Sequence, residues 1–321
     1  MAVVDKQPLA FPQADMDSPW KHALSIYLED FMALCFPEIS KQIDWMAGHQ
    51  SLDKEFLRIC KNAKVGLRHG DKLIKVRLKS GDSMFILCHL EIQASFEAVF
   101  PERMLVYRYR IEDVYHLPVL SIAILLDNNL NWRPRHYKRE CFGTSLEVHY
   151  HVVKLLDYEA RKEELERMNN PFSMVILAQL TILESAKDPK SRLYAKTNMI
   201  RALYDKNWQK EDVLNLYHLI DWLIILPEEL VLHYNEAIKL IEEERKVRYI
   251  TSMERGGIQK GLQQGRQEGQ ARTFIKLLEY RFGEVSKNHQ QVIQHADEEK
   301  INFWMRRALT VDVLAEVFQE L

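Results

Sequence analysis

Two carboxylates in the first half of the chain, Asp71 and Glu91, have the type and spacing of a cation site. A turn centred on Gly81, with Ser80 to Asp82 as its loop, would place them opposite each other across an antiparallel strand pair. Their Cβ atoms would then lie about 5 Å apart. Two acids that close repel each other unless a cation lies between them. Carboxylates and waters are the usual ligands of Mg²⁺, and bound Mg²⁺ activates water for attack on a phosphodiester.

The elements that must position these acids are predicted from hydrophobic period and turn signals. Alternation predicts a strand over 72–78, followed by a turn at 79–82 and a largely buried strand over 83–93. Around this hairpin we expect helices over 20–36, 51–60 and 96–115, a central strand over 118–126 and another strand over 146–156. From about residue 158 onward only helical periodicity remains. The order predicts an α/β region followed by an all-α region.

We therefore divide the chain into three parts. Residues 1–157 form the α/β domain and residues 158–255 a helical domain. Residues 256–321 hold a connecting helix, with glycine at every fourth position from 257 to 269, and a small terminal helical module.

The same alternation places Lys75, His89 and Gln93 on the face that carries the two acids. A different interpretation stays open, in which Asp71 and Glu91 lie at a solvated sheet edge. A register slip of one residue would move one of them to the other face of the sheet.

The surroundings of the two acids are basic. Residues 58–79 hold eight Lys or Arg residues, and Asp71 is the one acid among them. On the following helix, Arg103, Tyr107 and Arg110 share a face suited to holding phosphate oxygens. Residues 58–139 carry 15 basic and 8 acidic residues, although the whole chain has a net charge of −2. The near-neutral total therefore hides a basic segment that is compatible with a nucleic-acid partner.

Several protein classes are disfavoured. The four cysteines lack the spacing of a zinc ribbon or a disulfide framework, which favours an intracellular, cytoplasmic protein. The sequence contains no run of about 18 apolar residues, so no membrane span is predicted. The acidic, proline-containing N-terminus does not resemble a secretion signal. The chain contains no P-loop, GxGxxG, HExxH or GxSxG motif.

At these residues the sequence resembles the PD-(D/E)XK phosphodiesterase superfamily and, more narrowly, the recombination-promoting nuclease (Rpn) and transposase-like family of bacteria. The resemblance spans about residues 20–160, and the helical remainder is similar to the usual C-terminal half of that family. The matching segments are Asp53-Lys-Glu-Phe, Asp71-Lys-Leu-Ile-Lys-Val, His89-Leu-Glu-Ile-Gln93, Phe100-Pro-Glu-Arg103-Met-Leu-Val-Tyr107-Arg-Tyr-Arg110 and Pro118-Val-Leu-Ser-Ile-Ala-Ile-Leu.

The resemblance implies a restriction-endonuclease-like core, in which helices flank a mixed four-stranded sheet. Asp71 and Glu91 would take the places of the two motif acids and bind Mg²⁺ with the Ile92 carbonyl, and Glu55 would match the acid of the first core helix. Gln93 takes the place of the usual lysine, so it can orient water but supplies no charge. The implied activity is Mg²⁺-dependent cleavage of DNA, linked to recombination or mobile-element transfer.

On this hypothesis Arg103, Tyr107, Arg110 and Lys75 would bind the DNA backbone. A second hypothesis is that the chain kept the nuclease fold as a non-catalytic DNA- or protein-binding module. Its helical residues 160–321 would then support partner contact or homo-oligomer formation. Convergence of Asp71, Glu91 and Gln93 in a basic cleft would favour the enzyme, whereas a carboxylate in solvent would favour the binding module.

Overall fold

The computed structural model describes residues 17–60, 71–91, 99–186, 188–206, 208–245, 269–283, 285–296, 298–311 and 313–318. The chain divides into two compact units, Met1–Tyr249 and Ile250–Leu321, each described by itself below. The predicted boundary between residues 157 and 158 falls inside the first unit. The glycine repeat, apart from residue 269, lies outside the described residues.

The first unit is built on a mixed five-stranded sheet with the strand order β1-β2-β3-β4-β7. Strands β1, β2 and β3 pair antiparallel, whereas β3 with β4 and β4 with β7 pair parallel. A separate antiparallel pair is formed by β5 and β6. The strands are β1 (His49–Ser51), β2 (Lys72–Arg77), β3 (Ser83–Glu91), β4 (Val119–Leu125), β5 (His136–Cys141), β6 (Thr144–His149) and β7 (His151–Lys154).

The α/β class is confirmed, but two details of the predicted strands are wrong. The main sheet has five strands rather than four, because the three-residue strand β1 is too short to give a periodic signal. The predicted strand over 146–156 is two strands, β6 and β7, which separate at the buried residue Tyr150. β6 pairs with β5 in the hairpin, whereas β7 pairs with β4 in the main sheet. The alternation over 146–156 continues through both strands, so it does not show that their partners differ.

Helices flank the main sheet. The N-terminal helices are α1 (Asp17–Ile26), α2 (Leu28–Cys35), α3 (Pro37–Ser40) and α4 (Asp53–Cys60), and α5 (Phe100–Tyr115) follows β3. One face of the sheet forms a core with α4 and α5, in which Phe56 and Tyr107 pack on Leu73, Phe85 and Leu87. This face also carries the candidate site.

The predicted helical part follows β7, after a 3-10 segment over Leu155–Arg161, and belongs to the same compact unit. Its helices are α6 (Lys162–Arg167), α7 (Pro171–Glu184), α8 (Pro189–Asp205), α9 (Lys210–Leu223) and α10 (Glu228–Arg245). The Asn170 side chain caps α7 by accepting from the Phe172 amide at 2.9 Å. The buried Trp20 indole donates to Gln179 at 3.0 Å, which ties α1 to α7.

The second unit has a helical core of its own. Its helices are α11 (269–282), α12 (Lys287–Gln294), α13 (Glu298–Thr310) and α14 (Leu314–Val317). Phe274 of α11 stacks on Trp304 of α13, and both belong to one buried cluster with Leu278 and Ile293. The described residues of this unit are mostly helical.

Across the described ranges, none of the helices combines the length and the apolar character needed to cross a membrane.

Asp30 of α2 gives the first unit a predictable pH dependence. Burial, with Glu29 and Asp212 nearby, raises the pKa of its carboxyl from 3.8 to about 6. The folded state therefore binds a proton at Asp30 more tightly than the unfolded state, and the contribution of Asp30 to stability falls as pH rises from about 4 through 6. We expect Asp30→Asn to raise the free energy of unfolding at pH 7.5 by about 1 kcal/mol, allowing for solvent screening, with no gain at pH 4.

Urea unfolding at the two pH values measures this difference. The control is Glu38→Gln, because Glu38 is exposed and pairs with Lys41 at the surface. An equal gain for Asp30→Asn at both pH values would contradict the prediction.

Candidate active site at one edge of the sheet

Asp71 immediately precedes β2 and is only 1% exposed. The carboxylate of Asp53, at the start of α4, holds the beginning of this strand. It accepts from the Leu73 amide at 3.2 Å and pairs with the Lys72 ammonium at 3.3 Å. Asp71 is therefore buried at the start of a strand that Asp53 holds in place. This disagrees with the alternative interpretation, in which Asp71 lies at a solvated sheet edge.

The register of β2 with β3 differs from the predicted one by two residues. Lys72 lies opposite Cys88, so one further step along the ladder brings Asp71 opposite position 89. The predicted direct pairing of Asp71 with Glu91 is therefore wrong. Because the shift is an even number, position 91 stays on the face of Asp71, diagonally displaced by about 7–8 Å.

The turn explains the shift. Gly81 has a φ of +97° and its amide donates to the Leu78 carbonyl at 2.9 Å. In a three-residue hairpin loop built on a type I turn, the left-handed residue is the last of the loop, and glycine favours that position. The loop is therefore 79–81, closed by Leu78 opposite Asp82, whereas the prediction had put Gly81 at the loop centre.

Glu91 ends β3 and lies beside Leu125 of the parallel strand β4. The next motif residues, Ile92 and Gln93, lie outside the described residues, so their carbonyl-ligand and water-orienting roles stay predictions. Glu55 lies half-buried in the first turn of α4. Its part in the site also stays a prediction.

A buried ion pair that the sequence analysis missed lies at the same edge of the sheet. The Lys154 ammonium is 2.6 Å from Asp127 Oδ1, and the two side chains are 0% and 1% exposed. The Asn129 amide donates to the same oxygen at 2.8 Å. Lys154 ends β7 beside Leu125, and Asp127 follows β4 by two residues. Asp127 and Lys154 are each a charged residue at the end of an apolar run, and this sequence pattern could have identified them as candidates.

The sheet topology brings these four positions to one edge. Strand β2 begins there, and β3, β4 and β7 end there. We call Asp71, Glu91, Asp127 and Lys154 the edge site. Asp127 and Lys154 neutralise each other, so the buried Asp71 and the position of Glu91 are the candidates for binding a cation.

Two of the predicted DNA-binding residues are buried. Arg103 is 4% exposed, and Tyr107 is fully buried with its ring 5.1 Å from that of Phe56. Tyr107 belongs to the buried stripe by which α5 packs on the sheet, and its role as a DNA contact stays a prediction. The other apolar members of that stripe are Phe100, Met104 and Ile111.

The remaining predicted contacts are less buried. Arg110 is half-buried and donates to the Ile59 carbonyl at 2.8 Å, so it joins α5 to α4. Lys75 is half-buried within β2, between Phe85 of β3 and Gln50 of β1. Lys75 shares the face of Asp71 but lies four residues along the strand, about 13 Å from the edge.

Two cysteines of the first unit, Cys88 and Cys35, have raised thiol pKa values. Burial raises the pKa of the Cys88 thiol to about 12, although the nearby Lys72 ammonium opposes this shift. Burial likewise raises the pKa of Cys35 to about 11. Both thiols therefore stay protonated at neutral pH, and thiolate chemistry is not expected from them.

Among the His, Cys, Asp and Glu residues that the structure describes, no three come together as a metal-binding group. The Glu91 side chain and Gln93 do not belong to that set. The predicted Mg²⁺ site therefore stays a prediction.

The chain matches no protein-family model, no curated protein and no solved structure. Its function is consequently argued from the geometry and from the motif residues.

The buried ion pair yields a stability prediction. Lys154→Met leaves the Asp127 carboxylate buried without its charged partner, and we expect a loss of about 3–5 kcal/mol in the free energy of unfolding. Asp127→Asn added to Lys154→Met should recover much of that loss, because the uncompensated charge is removed. Urea unfolding measures both changes.

The matched control is Arg167→Met, which breaks an ion pair with Glu163 whose side chains are 80% and 84% exposed. Its expected cost is below about 1 kcal/mol. If Lys154→Met costs no more than this control, the buried pair does not stabilise the edge site.

Proposed function

We propose that the chain is a Mg²⁺-dependent DNA endonuclease with a PD-(D/E)XK core of the Rpn type. The observation that carries the proposal is the placement of Asp71 and Glu91. They lie on adjacent strands, at the same edge and on the same face of a mixed sheet. The helices that flank this sheet, with α4 before β2 and α5 after β3, agree with the architecture that the resemblance implies.

The donor set fits a divalent cation. Asp71 is a buried carboxylate, and Glu91 is placed one diagonal step away from it. Such an arrangement of like charges is stabilised by a hard cation, which prefers carboxylate and carbonyl oxygens. Asp71 and Glu91 would hold Mg²⁺ together with the Ile92 carbonyl. When bound, Mg²⁺ supplies an activated water and polarises the phosphodiester.

The positive charge that usually accompanies the two acids has to come from another residue than Gln93. Gln93 can orient the water but carries no charge, and the Lys154 ammonium is paired with Asp127. Arg103 is the better candidate. Its helical neighbours Phe100 and Met104 pack on Ala123 and Leu125, so this part of α5 lies over the end of β4 that forms the edge site. We propose that Arg103 holds a phosphate oxygen inside the site rather than on an open surface.

A DNA-binding module without catalysis is the second candidate. It is favoured by one feature, the uncharged Gln93 at the place of the motif lysine. In either case DNA is the proposed partner, the cytoplasm the proposed location and recombination or mobile-element transfer the proposed role. Self-association through the helical residues 160–321 stays an expectation.

Cleavage of supercoiled plasmid DNA by the full chain in Mg²⁺ tests the proposal. We expect Asp71→Asn and Glu91→Gln each to lower the rate by about 100-fold or more, and chelation of Mg²⁺ to abolish cleavage. The control is Asp82→Asn, because Asp82 is an exposed carboxylate in the hairpin turn, where it accepts from the Ser80 hydroxyl. It should cut at the wild-type rate.

Equal rates for wild type, Asp71→Asn and Glu91→Gln would overturn the assignment of the site. DNA binding by the wild type without any cleavage would instead support the binding module.

A further inference from the structure

The hairpin of β5 and β6 forms a ribbon, residues 135–150, that stands apart from the main sheet. The Tyr150 amide donates to the Arg135 carbonyl at 3.1 Å and closes its base. From residue 135 to residue 149 every side chain is exposed except Tyr137 and Val148, which are half-buried. Six-residue strands make such a ribbon about 20 Å long. It is the longest exposed strand pair in the described part of the chain.

The ribbon starts beside the edge site. Tyr150 is buried in a cluster with Phe100 of α5 and Leu125 of β4. Leu125 is the residue that lies next to Glu91 across the parallel ladder. A molecule that lies against the edge site is therefore within reach of the ribbon.

The tip of the ribbon carries a residue that the turn itself disfavours. Phe142 has a φ of +48° and Gly143 a φ of +81°, so both central residues of the two-residue turn are left-handed. Such a turn prefers Asn-Gly, and a bulky residue at positive φ is strained. The Phe142 side chain is fully exposed and contributes nothing to a core. An exposed aromatic ring at a strained position indicates a contact with a partner.

The charges on the ribbon favour an anionic partner. Within the described residues, no acid forms an ion pair with Arg135, Lys138 or Arg139. Of the two acids on the ribbon, Glu147 already contacts the His149 ring at 3.1 Å. The cations that remain available therefore outnumber the available acids.

We propose that this ribbon enters a groove of duplex DNA next to the edge site. The inference rests on the proposed function and extends it by naming duplex DNA as the substrate class. The major groove of B-DNA admits a two-stranded ribbon. Arg135, Lys138 and Arg139 contact phosphates along the groove, and Phe142 contacts bases or sugars at the tip.

Fluorescence anisotropy with a labelled duplex tests the inference, using the full chain with Asp71→Asn so that the DNA stays intact. We expect the triple variant Arg135→Gln/Lys138→Gln/Arg139→Gln to bind about 10–100-fold more weakly at 0.1 M salt. The slope of log affinity against log salt should also fall by about 2–3. The control triple is Lys190→Gln/Arg201→Gln/Lys210→Gln, which removes three exposed cations from the helical part. It should stay within about twofold of its parent, because only distant screening changes.

The variant Phe142→Asn removes the proposed contact of the ring with DNA without weakening the turn, so it distinguishes a loss of binding from a loss of folding. Asn-Gly is the preferred sequence for this turn, so the variant should fold at least as well as its parent. We expect about a fivefold loss of duplex affinity with no drop in the thermal midpoint, because the apolar contact of the ring in the groove is lost. Circular dichroism and the anisotropy measurement give the two readouts.

Three results would overturn the inference. Equal losses in the two triple variants would show that overall charge, not the ribbon, sets affinity. Affinity unchanged in the ribbon variants, while the wild type still cleaves DNA, would leave the proposed function standing without the ribbon. Unchanged affinity with a lower mass by light scattering would assign the ribbon to contact with a second copy of the chain. Failure of the unmodified chain to bind or cleave DNA would instead end the proposed function itself.

Discussion

The parallel ladder between β3 and β4 is the constraint on which the candidate site depends. It joins the antiparallel hairpin, which carries Asp71 and Glu91, to the parallel half of the sheet, which carries Asp127 and Lys154. Because β3 and β4 run in the same direction, their ends meet at one edge, and β2 starts there since it runs the opposite way. Residues more than 80 positions apart in the chain are thus brought together by backbone pairing. The helix α5 also contributes to this arrangement. It supplies the crossover connection that a parallel strand pair requires, and it covers the face of the sheet on which the acids lie.

The charged residues at this edge of the sheet have different roles. Lys154 and Asp127 satisfy each other at 2.6 Å in a buried environment, so their pair is a structural element with little charge to offer a substrate. Asp71 lies at the start of β2, and the position of Glu91 lies at the end of the neighbouring strand β3. A buried, internally neutral pair beside them keeps the local dielectric low. A cation bound there as we propose would be held more strongly than in water.

Much of this arrangement could be predicted from the sequence, and the failures have physical causes. The hairpin strands followed from alternation. The predicted loop was misplaced by one residue, which moves every cross-strand pairing by two and so preserves the parity of the register. The burial of Tyr107 was missed because the Arg-Tyr-Arg spacing overlaps the apolar stripe of α5, and both share the helical period. Asp127 and Lys154 were missed because 27 residues and a hairpin separate them, so no local pattern links them. Strand β5 of the ribbon was missed, and β6 was merged with β7, because the ribbon strands are exposed and mostly polar and leave no hydrophobic period to detect.

At three places the residue type disagrees with the usual preference for its position in the fold. A lysine is fully buried at the end of β7, a carboxylate is buried at the start of β2, and a phenylalanine occupies a left-handed, exposed turn position. Sequences normally agree with their folds at every level, and exceptions concentrate where function requires them. The first two exceptions lie on one edge of the sheet, and the third lies at the tip of the ribbon that starts beside that edge. A fold selected for stability alone would place asparagine at position 142 and apolar residues at the strand ends. The first two exceptions therefore mark the edge site, and the third lies about 20 Å away, on the ribbon that we propose contacts the same DNA.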